Sequence, residues 1–222
     1  NKVEKVIENA STVHAGNSYL SKLASKHNQN VNVFPTVLDT EVYKPNSQSK
    51  KNIFTIGWIG SPSTAPYLKS LVNPLSELGS EGPVELHVIG GKAPEILNVE
   101  VHEIPWSEDT EVDNINKFDV GVMPLLDDEW AKGKCAFKLL QYMACGLPVV
   151  ASNVGANKEV INSKLGYLVD NDQMWLESLR LLRDNPILRK RLGAAGRARV
   201  EESYSLRSNL PILAKTINEL VV

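Results

Sequence analysis

Two lysines and a glutamine recur at helical spacing in the stretch from Trp130 to Glu159, WAKGKCAFKLLQYMACGLPVVASNVGANKE. Lys134, Lys138 and Gln141 stand at positions i, i+4 and i+7, so on a helix they form one polar stripe. A helix start is already positive, and two lysines there are unfavourable unless an anion binds to them and to the free backbone N–H groups. We therefore predict an anion site at this helix start. The alternative is a solvated helix with ordinary surface lysines.

The rest of the stretch supplies the elements that would position such a site. Phe137, Leu140 and Met143 recur at helical spacing and are predicted to face a core. Gly146 is a natural helix stop, and residues 147–151 form a short apolar run typical of a buried strand. A helix with a phosphate-ready start that runs into a buried strand is half of a nucleotide-binding α/β unit.

From residue 53 onward, apolar runs alternate with helical patterns. The predicted strands are 53–59, 84–89, 99–104, 118–123, 147–151 and 166–169, and the predicted helices are 65–78, 109–116, 135–144, 158–161 and 173–183. This alternation predicts an α/β fold, a doubly wound parallel sheet with the strand order 3-2-1-4-5-6. The ligand crevice of such a sheet lies beyond the carboxyl ends of strands 1 and 4, which selects the loops 57–64 and 124–134.

Composition excludes several classes of function. The chain has 222 residues, 42% hydrophobic and 23% charged, with a net charge of −2, which is typical of a soluble globular protein and does not favour nucleic acid as a partner. No apolar run approaches the roughly 20 residues of a membrane span. Cys135 and Cys145 lack CxxC spacing and the four histidines are scattered, so we expect reduced thiols, no metal site and a cytoplasmic location.

The two ends of the chain differ from its centre. Residues 1–45 are predicted to be the end of a preceding domain and a linker, 46–205 the ligand-binding domain, and 206–222 a closing helix. The chain starts at Asn1 without an initiator methionine, which predicts a fragment of a longer protein. The tail from residue 186 is predicted to be helical throughout and is rich in arginine. A solvated face explains these arginines, and peripheral contact with anionic lipid at the inner face of the membrane is the alternative.

The segment FDVGVMPLLDDEWAKGKCAFKLLQYMACGLPVVASNVGANKEVI resembles the donor-binding signature of the group 1 (family 4) glycosyltransferases of the GT-B fold. These enzymes carry E-x7-E, then A-x-A-x-G-x-P-V-V, then G-x-x-E. Gln141 falls on the second glutamate, Gly133 on the first, and Gly155 and Glu159 near the following loop. The resemblance implies the C-terminal, Rossmann-like half of a retaining transferase that uses a nucleotide-diphosphate sugar and no bound metal or other cofactor.

The resemblance also assigns roles to residues. Gln141 would hydrogen-bond the ribose hydroxyls through its neutral amide. The helix start, with Cys135, Ala136 and Phe137, would receive the diphosphate through backbone N–H groups, and Lys134 and Lys138 would supply the positive charge that many relatives place after strand 1. These two lysines are therefore the candidate catalytic residues.

Four further positions have a binding and a structural interpretation. Gly60 would allow close approach of a ligand or simply form a tight turn, and Ser61 would donate to phosphate or cap the next helix. Trp106 would stack on the base. Glu129, with its acidic neighbours, would hold sugar hydroxyls or belong to an exposed acidic loop.

The implied function is transfer of a sugar to an acceptor glycan or lipid that is bound by the missing N-terminal domain. We expect this fragment to bind donor nucleotide without transferring sugar. Two alternatives remain open from the sequence: a non-catalytic nucleotide-sugar binding module, suggested by Gly133, and a GT-B sugar-nucleotide epimerase.

Overall fold

The computed structural model describes residues 2–46 and 53–221, and within them the chain forms eight strands, ten α-helices and one 3-10 helix. The strands are β1 (Val13–Ala15), β2 (Val31–Val33), β3 (Phe54–Ile59), β4 (Val84–Ile89), β5 (Glu100–Ile104), β6 (Val120–Met123), β7 (Val149–Ser152) and β8 (Gly166–Val169). The α-helices are α1 (Lys2–Glu8), α2 (Ser18–Ala24), α3 (Val72–Glu81), α4 (Glu108–Ile115), α5 (Glu129–Lys132), α6 (Phe137–Ala144), α7 (Asn157–Val160), α8 (Asp172–Asp184), α9 (Pro186–Ser203) and α10 (Leu206–Val221). The 3-10 helix is Ala65–Leu71.

Six strands form the main sheet in the order β5-β4-β3-β6-β7-β8, with every neighbouring pair parallel. This confirms the predicted order, since β3 to β8 are the six predicted strands in chain order. All residues of β3 and β4 are buried, as expected for central strands covered by helices on both faces. One face packs against α3 and α8, and the other packs against α6 and α9.

Several predicted boundaries move, each for a local reason. The first helix of the sheet domain is split, but the split lies between Leu71 and Val72. Pro74 is tolerated because it lies in the first turn of α3, where the missing N–H is not needed. The predicted tail is not helical throughout, since Tyr204 and Ser205 separate α9 from α10. Helices α1 and α5 were not predicted.

The segment before the main sheet is tied to the tail. Strands β1 and β2 pair in parallel, and the stretch that follows crosses to the end of α9. There the Leu38 N–H donates to Tyr204 O at 3.0 Å, and the Leu206 N–H donates to Leu38 O at 2.9 Å. Residues 36–46 of the predicted linker are therefore held by the domain that they precede. Residues 47–52 lie outside the described residues, whereas the predicted boundary between residues 45 and 46 lies within the described part of the chain.

The arginines of α8 and α9 hold the fold together. Arg180 and Arg183 both pair with Glu81, while Arg189 lies 3.5 Å from Asp119. Arg197 donates to backbone carbonyls of Thr40, Tyr43 and Ala144. These four side chains are therefore engaged within the fold rather than forming a free solvated face. Among residues 2–46 and 53–221, no helix has the length and apolar character needed to cross a bilayer.

Candidate functional site

Lys134 and Lys138 converge at the start of α6 on a set of aromatic rings. The Lys134 Nζ lies 5.6 Å from the ring centroids of both Tyr67 and Trp130, and the Lys138 Nζ lies 5.6 Å from that of Trp58. Within the described part of the chain, neither ammonium forms an ion pair with a carboxylate. Lys134 precedes the helix rather than lying on it, so the predicted helical stripe is wrong for this residue. The two lysines are still close enough for the charge of Lys134 to act on Lys138.

The Lys138 ammonium is the most perturbed cation of this group. Burial, followed by the charge of Lys134, lowers the pKa of Lys138 to about 8. Its Nζ donates to no carboxylate in residues 2–46 and 53–221, and it is not among the fully buried polar atoms without a partner there. It therefore keeps access to solvent. Two cations held close together without a counter-charge form a site for an anion.

The backbone at the start of α6 is unusual. Ala136 precedes the helix with φ 55°, the left-handed region that side chains rarely adopt, and no side chain caps the first turn. The N–H groups of that turn are therefore not used by a side-chain acceptor. Ala136 is buried and Cys135 is half-buried. The backbone of these two residues, rather than their side chains, is therefore placed to bind a ligand.

Asn17 braces this loop from the N-terminal segment. Its buried side-chain amide donates to the carbonyls of Lys132 and Lys134, at 3.0 and 2.9 Å, while its oxygen accepts from the Leu20 N–H at the start of α2. Gly16 lies against Cys135, and a Cβ at Gly16 would overlap its sulfur. Sequence reasoning missed this support, because nothing in residue types links positions that lie 115 apart.

Phe137 and Gln141 have environments opposite to those predicted. Phe137 does not face the core, since it is 39% exposed at the mouth of the site. Gln141 is buried at 4% exposure, and its Nε2 donates to Glu111 at 2.6 Å and to the Tyr43 hydroxyl at 3.2 Å. The polar stripe therefore turns inward after Lys138, since the buried carboxylate on α4 offers Gln141 a partner.

Glu111 is a buried carboxylate that sequence reasoning did not select. It accepts hydrogen bonds from the Tyr43 hydroxyl and from the Trp106 indole N–H as well as from Gln141. Burial, followed by the hydrogen bond to Glu111, raises the pKa of Tyr43 to about 12. Trp106 remains 55% exposed, so one edge of the indole is held while its face is open to a ligand.

A cavity of about 660 Å³ adjoins this group at the carboxyl ends of β3, β4 and β5. It is lined by residues of three loops, among them Pro62, Gly90 and Ile104. The loop after β3 was predicted to line the crevice, but the loop after β6 was predicted as its partner. The loops after β4 and β5 line this cavity, while the loop after β6 leads to Lys134 and the start of α6.

Gly60 and Ser61 build the turn after β3. A Cβ at Gly60 would overlap Trp58, which explains the glycine by packing. The Ser61 N–H donates to the Thr64 hydroxyl at 3.1 Å, and the Ser61 hydroxyl lies 2.8 Å from that of Ser63. The 3-10 helix that follows has no side-chain cap, so the capping alternative for Ser61 is wrong. The exposed hydroxyl of Ser61 lies near the cavity.

The acidic loop before Lys134 is mostly engaged in local structure. Asp128 caps α5 by accepting from the Ala131 N–H at 2.6 Å. Glu129 accepts from the Tyr19 hydroxyl and lies 3.3 Å from the Lys132 Nζ. Gly133 ends α5, and a Cβ there would make only ordinary contacts, so glycine is not required by the backbone. These contacts favour the structural interpretation of Glu129.

Two histidines are closer together than their spacing in the sequence indicates. The rings of His87 and His102 lie 4.9 Å apart, because β4 and β5 place them in register. With Glu85 they form a group of ligand-type atoms within 4.8 Å of one another. The group lies below the carboxyl ends of the strands, away from the lysines, and His87 is 3.1 Å from Glu85. The prediction that the histidines are scattered is wrong for this pair.

Comparison with known proteins assigns the chain to a family. A family model described as "Glycosyl transferases group 1" matches residues 50–185, which include the whole cavity and the lysine site. The chain belongs to the group 1 glycosyltransferases. Over 68 residues it is 40% identical to the GDP-mannose-dependent monoacylated alpha-(1-6)-phosphatidylinositol monomannoside mannosyltransferase of Corynebacterium glutamicum. That match covers 30% of this chain and 18% of the mannosyltransferase.

Solved structures confirm that this group 1 glycosyltransferase has the fold of the C-terminal half of GT-B enzymes. Sucrose-phosphate synthase from Thermosynechococcus elongatus superposes with a TM-score of 0.78 at 17% identity, over 99% of this chain and 60% of the synthase. HepE of Anabaena, solved with UDP and glucose, superposes with a TM-score of 0.75 at 15% identity, over 94% of this chain and 63% of HepE. The chain thus spans less than two thirds of these relatives.

Proposed function

We propose that this chain is the donor-binding half of a retaining glycosyltransferase, and that Lys134 and Lys138 hold the diphosphate of a nucleotide sugar. The observation that carries the proposal is the pair of converging ammonium groups without a carboxylate partner in the described chain. The position of the pair, beside the carboxyl ends of the parallel strands, supports it. So does the neighbour HepE, whose structure contains UDP.

The chemistry follows from where charge develops during transfer. When the bond between the sugar carbon and the diphosphate breaks, negative charge accumulates on the leaving nucleoside diphosphate. Two ammonium groups and the uncapped N–H groups of α6 face that charge without needing to reorganise. Lys138 is partly removed from water, which strengthens its attraction for the anion. We assign both lysines to stabilising the leaving group.

The acceptor side of the reaction is assigned to a part of the protein beyond this chain. We propose that the acceptor is a glycan or a lipid bound by a preceding domain, so that this chain alone binds donor without transferring sugar. We do not assign lipid contact to Arg180, Arg183, Arg189 or Arg197, because these side chains are engaged within the fold. Sugar transfer catalysed by this chain alone would contradict the assignment.

Calorimetric titration with UDP, GDP, ADP and CMP tests the proposal. One of the three diphosphates is expected to bind in the micromolar range, about −8 kcal/mol, and CMP at least ~10-fold more weakly because it lacks the second phosphate. Equal binding of CMP, or no binding of any diphosphate, would overturn the diphosphate site. Lys158→Ala, an exposed lysine on α7, is the matched control and should leave the affinity unchanged.

A further inference from the structure

Glu111 is an ionisable side chain whose hydrogen-bond partners are all neutral groups. It is 7% exposed, and its Oε1 accepts from the Tyr43 hydroxyl and from Gln141 Nε2, while its Oε2 accepts from the Trp106 indole. In the described ranges 2–46 and 53–221, no lysine, arginine or histidine pairs with it. Burying a carboxylate without a cation is costly, and such groups are retained chiefly where they bind or react.

Gln141 is oriented by this carboxylate. Both hydrogens of its amide are used, one by Glu111 and one by the Tyr43 hydroxyl, so the amide has no donor left for a ligand. Its carbonyl oxygen accepts no hydrogen bond from the described residues and is not among their fully buried unsatisfied atoms, so it reaches solvent. A glutamate at position 141 would set two carboxylates against each other at hydrogen-bond distance, which explains why this position is neutral here.

The place of Glu111 fits the middle of a nucleotide. Gln141 lies one helical turn beyond Lys138, and Trp106 lies against Gly90 at the edge of the 660 Å³ cavity. The carboxylate therefore stands between the lysines, which suit a diphosphate, and the cavity, which suits a base. The group that joins these two parts is a ribose, whose hydroxyls are donors and need acceptors.

We propose that Glu111 is the residue that accepts the ribose hydroxyls of the bound nucleotide, with Gln141 and Tyr43 as positioning residues. This rests on the proposed diphosphate site. A ribose hydroxyl replaces the Trp106 N–H on Oε2, and the exposed indole is free to move aside. The acidic acceptor is therefore a residue of α4, and the motifs of the family signature do not include it. Rossmann-type sites in general use an acidic side chain for this contact.

The test combines a change in the ligand with a change in the protein. UDP, GDP and ADP are titrated together with their 2′,3′-dideoxy analogues and with inorganic pyrophosphate, against the unmodified chain and Glu111→Gln. In the unmodified chain, the nucleotide that binds should lose about 10-fold to 100-fold in affinity when its hydroxyls are removed. Glu111→Gln should cause the same loss for the intact nucleotide, no further loss for the dideoxy form, and no change for pyrophosphate.

Two controls separate this role from a structural one. The exchange Glu111→Gln/Gln141→Glu keeps a hydrogen-bonded carboxylate–amide pair but removes the carboxylate from α4. It should leave the affinity as low as in Glu111→Gln, and recovery would overturn the assignment to Glu111. The fluorescence of Trp106, taken as the difference between the unmodified chain and Trp106→Phe, should change when nucleotide binds and stay constant when pyrophosphate binds. The inference is overturned if dideoxy and intact nucleotides bind the unmodified chain equally, or if Glu111→Gln weakens pyrophosphate as much as nucleotide. Failure of pyrophosphate and of every nucleotide to bind would instead overturn the diphosphate site itself.

Discussion

Two groups of cations in this molecule have opposite surroundings. On α8, Arg180 and Arg183 share the carboxylate of Glu81, and the hydrogen bond from Arg180 leads the effects that lower the pKa of Glu81 to about 2. At the start of α6, Lys134 lies over Tyr67 and Trp130 and Lys138 lies over Trp58, and burial lowers the pKa of Lys138 to about 8. One group is neutralised within the fold, and the other is not.

The difference separates cations that stabilise structure from cations that await a ligand. A guanidinium that bridges two helices is given a carboxylate, since leaving it unpaired would cost free energy. The lysines are held together despite their repulsion, so the fold bears a cost that a bound anion would remove. By this criterion Arg180 and Arg183 are structural cations, and Lys134 and Lys138 are binding cations.

The largest expected effect sharpens this contrast directly. Lys134→Ala/Lys138→Ala should weaken diphosphate binding about 100-fold or more, since each charge-assisted contact contributes on the order of 1.5–3 kcal/mol. Arg180→Ala/Arg183→Ala removes the same number of charges from α8 and should leave affinity within about 2-fold. Titration of both variants with one diphosphate at constant salt measures the two effects. Equal losses in the two variants would show that only net charge matters.

A smaller effect concerns the free energy of unfolding, which should rise when the cation at Lys138 is removed and fall when the one at Arg183 is removed. The folded state lowers the pKa of Lys138 from 10.5 to about 8, so the unfolded chain binds this proton first as the pH falls. The cost to the folded state is complete below pH 8 and absent above about pH 10.5. Lys138→Met should therefore raise the free energy of unfolding at pH 7 by about 1–3 kcal/mol.

The matched variant is Arg183→Met, which removes a side chain that lies 3.0 Å from Glu81. It should lower the free energy of unfolding by about 0.5–1 kcal/mol, because a partly exposed pair contributes little. Urea unfolding at pH 7 measures both variants. A loss of stability in Lys138→Met as large as in Arg183→Met would show that Lys138 is an ordinary structural cation.

The sequence was sufficient for the sheet and for the position of the lysines. Fully apolar runs such as β3 and β4 are unmistakable in a doubly wound sheet, and the spacing of the helices between them permits few other strand orders. Lys134 and Lys138 were found because two cations at a helix start are locally unfavourable. Both features depend on residues that are close together along the chain.

Features that depend on distant pairs were not predicted. The ribose role of Gln141 stays a prediction, but its hydrogen bonds to Tyr43 and to Glu111, which lies 30 residues away, were not foreseen. His87 and His102 meet only through the register of two strands. Asn17 holds the loop at Lys134 across 117 residues. Spacing along the chain carries no information on such contacts, since they are set by how the elements pack.

The ionisation of Lys138 tests the central claim most directly. Nitrogen NMR of the side-chain amines, assigned with Lys138→Met, would follow this group from pH 6 to 11, with and without saturating diphosphate. The account predicts a pKa of about 8 in the free chain, and a rise of at least ~1 unit when the anion is bound, since the anion stabilises the charged form. A pKa near 10.5 in the free chain, or one that saturating diphosphate leaves unchanged, would contradict it.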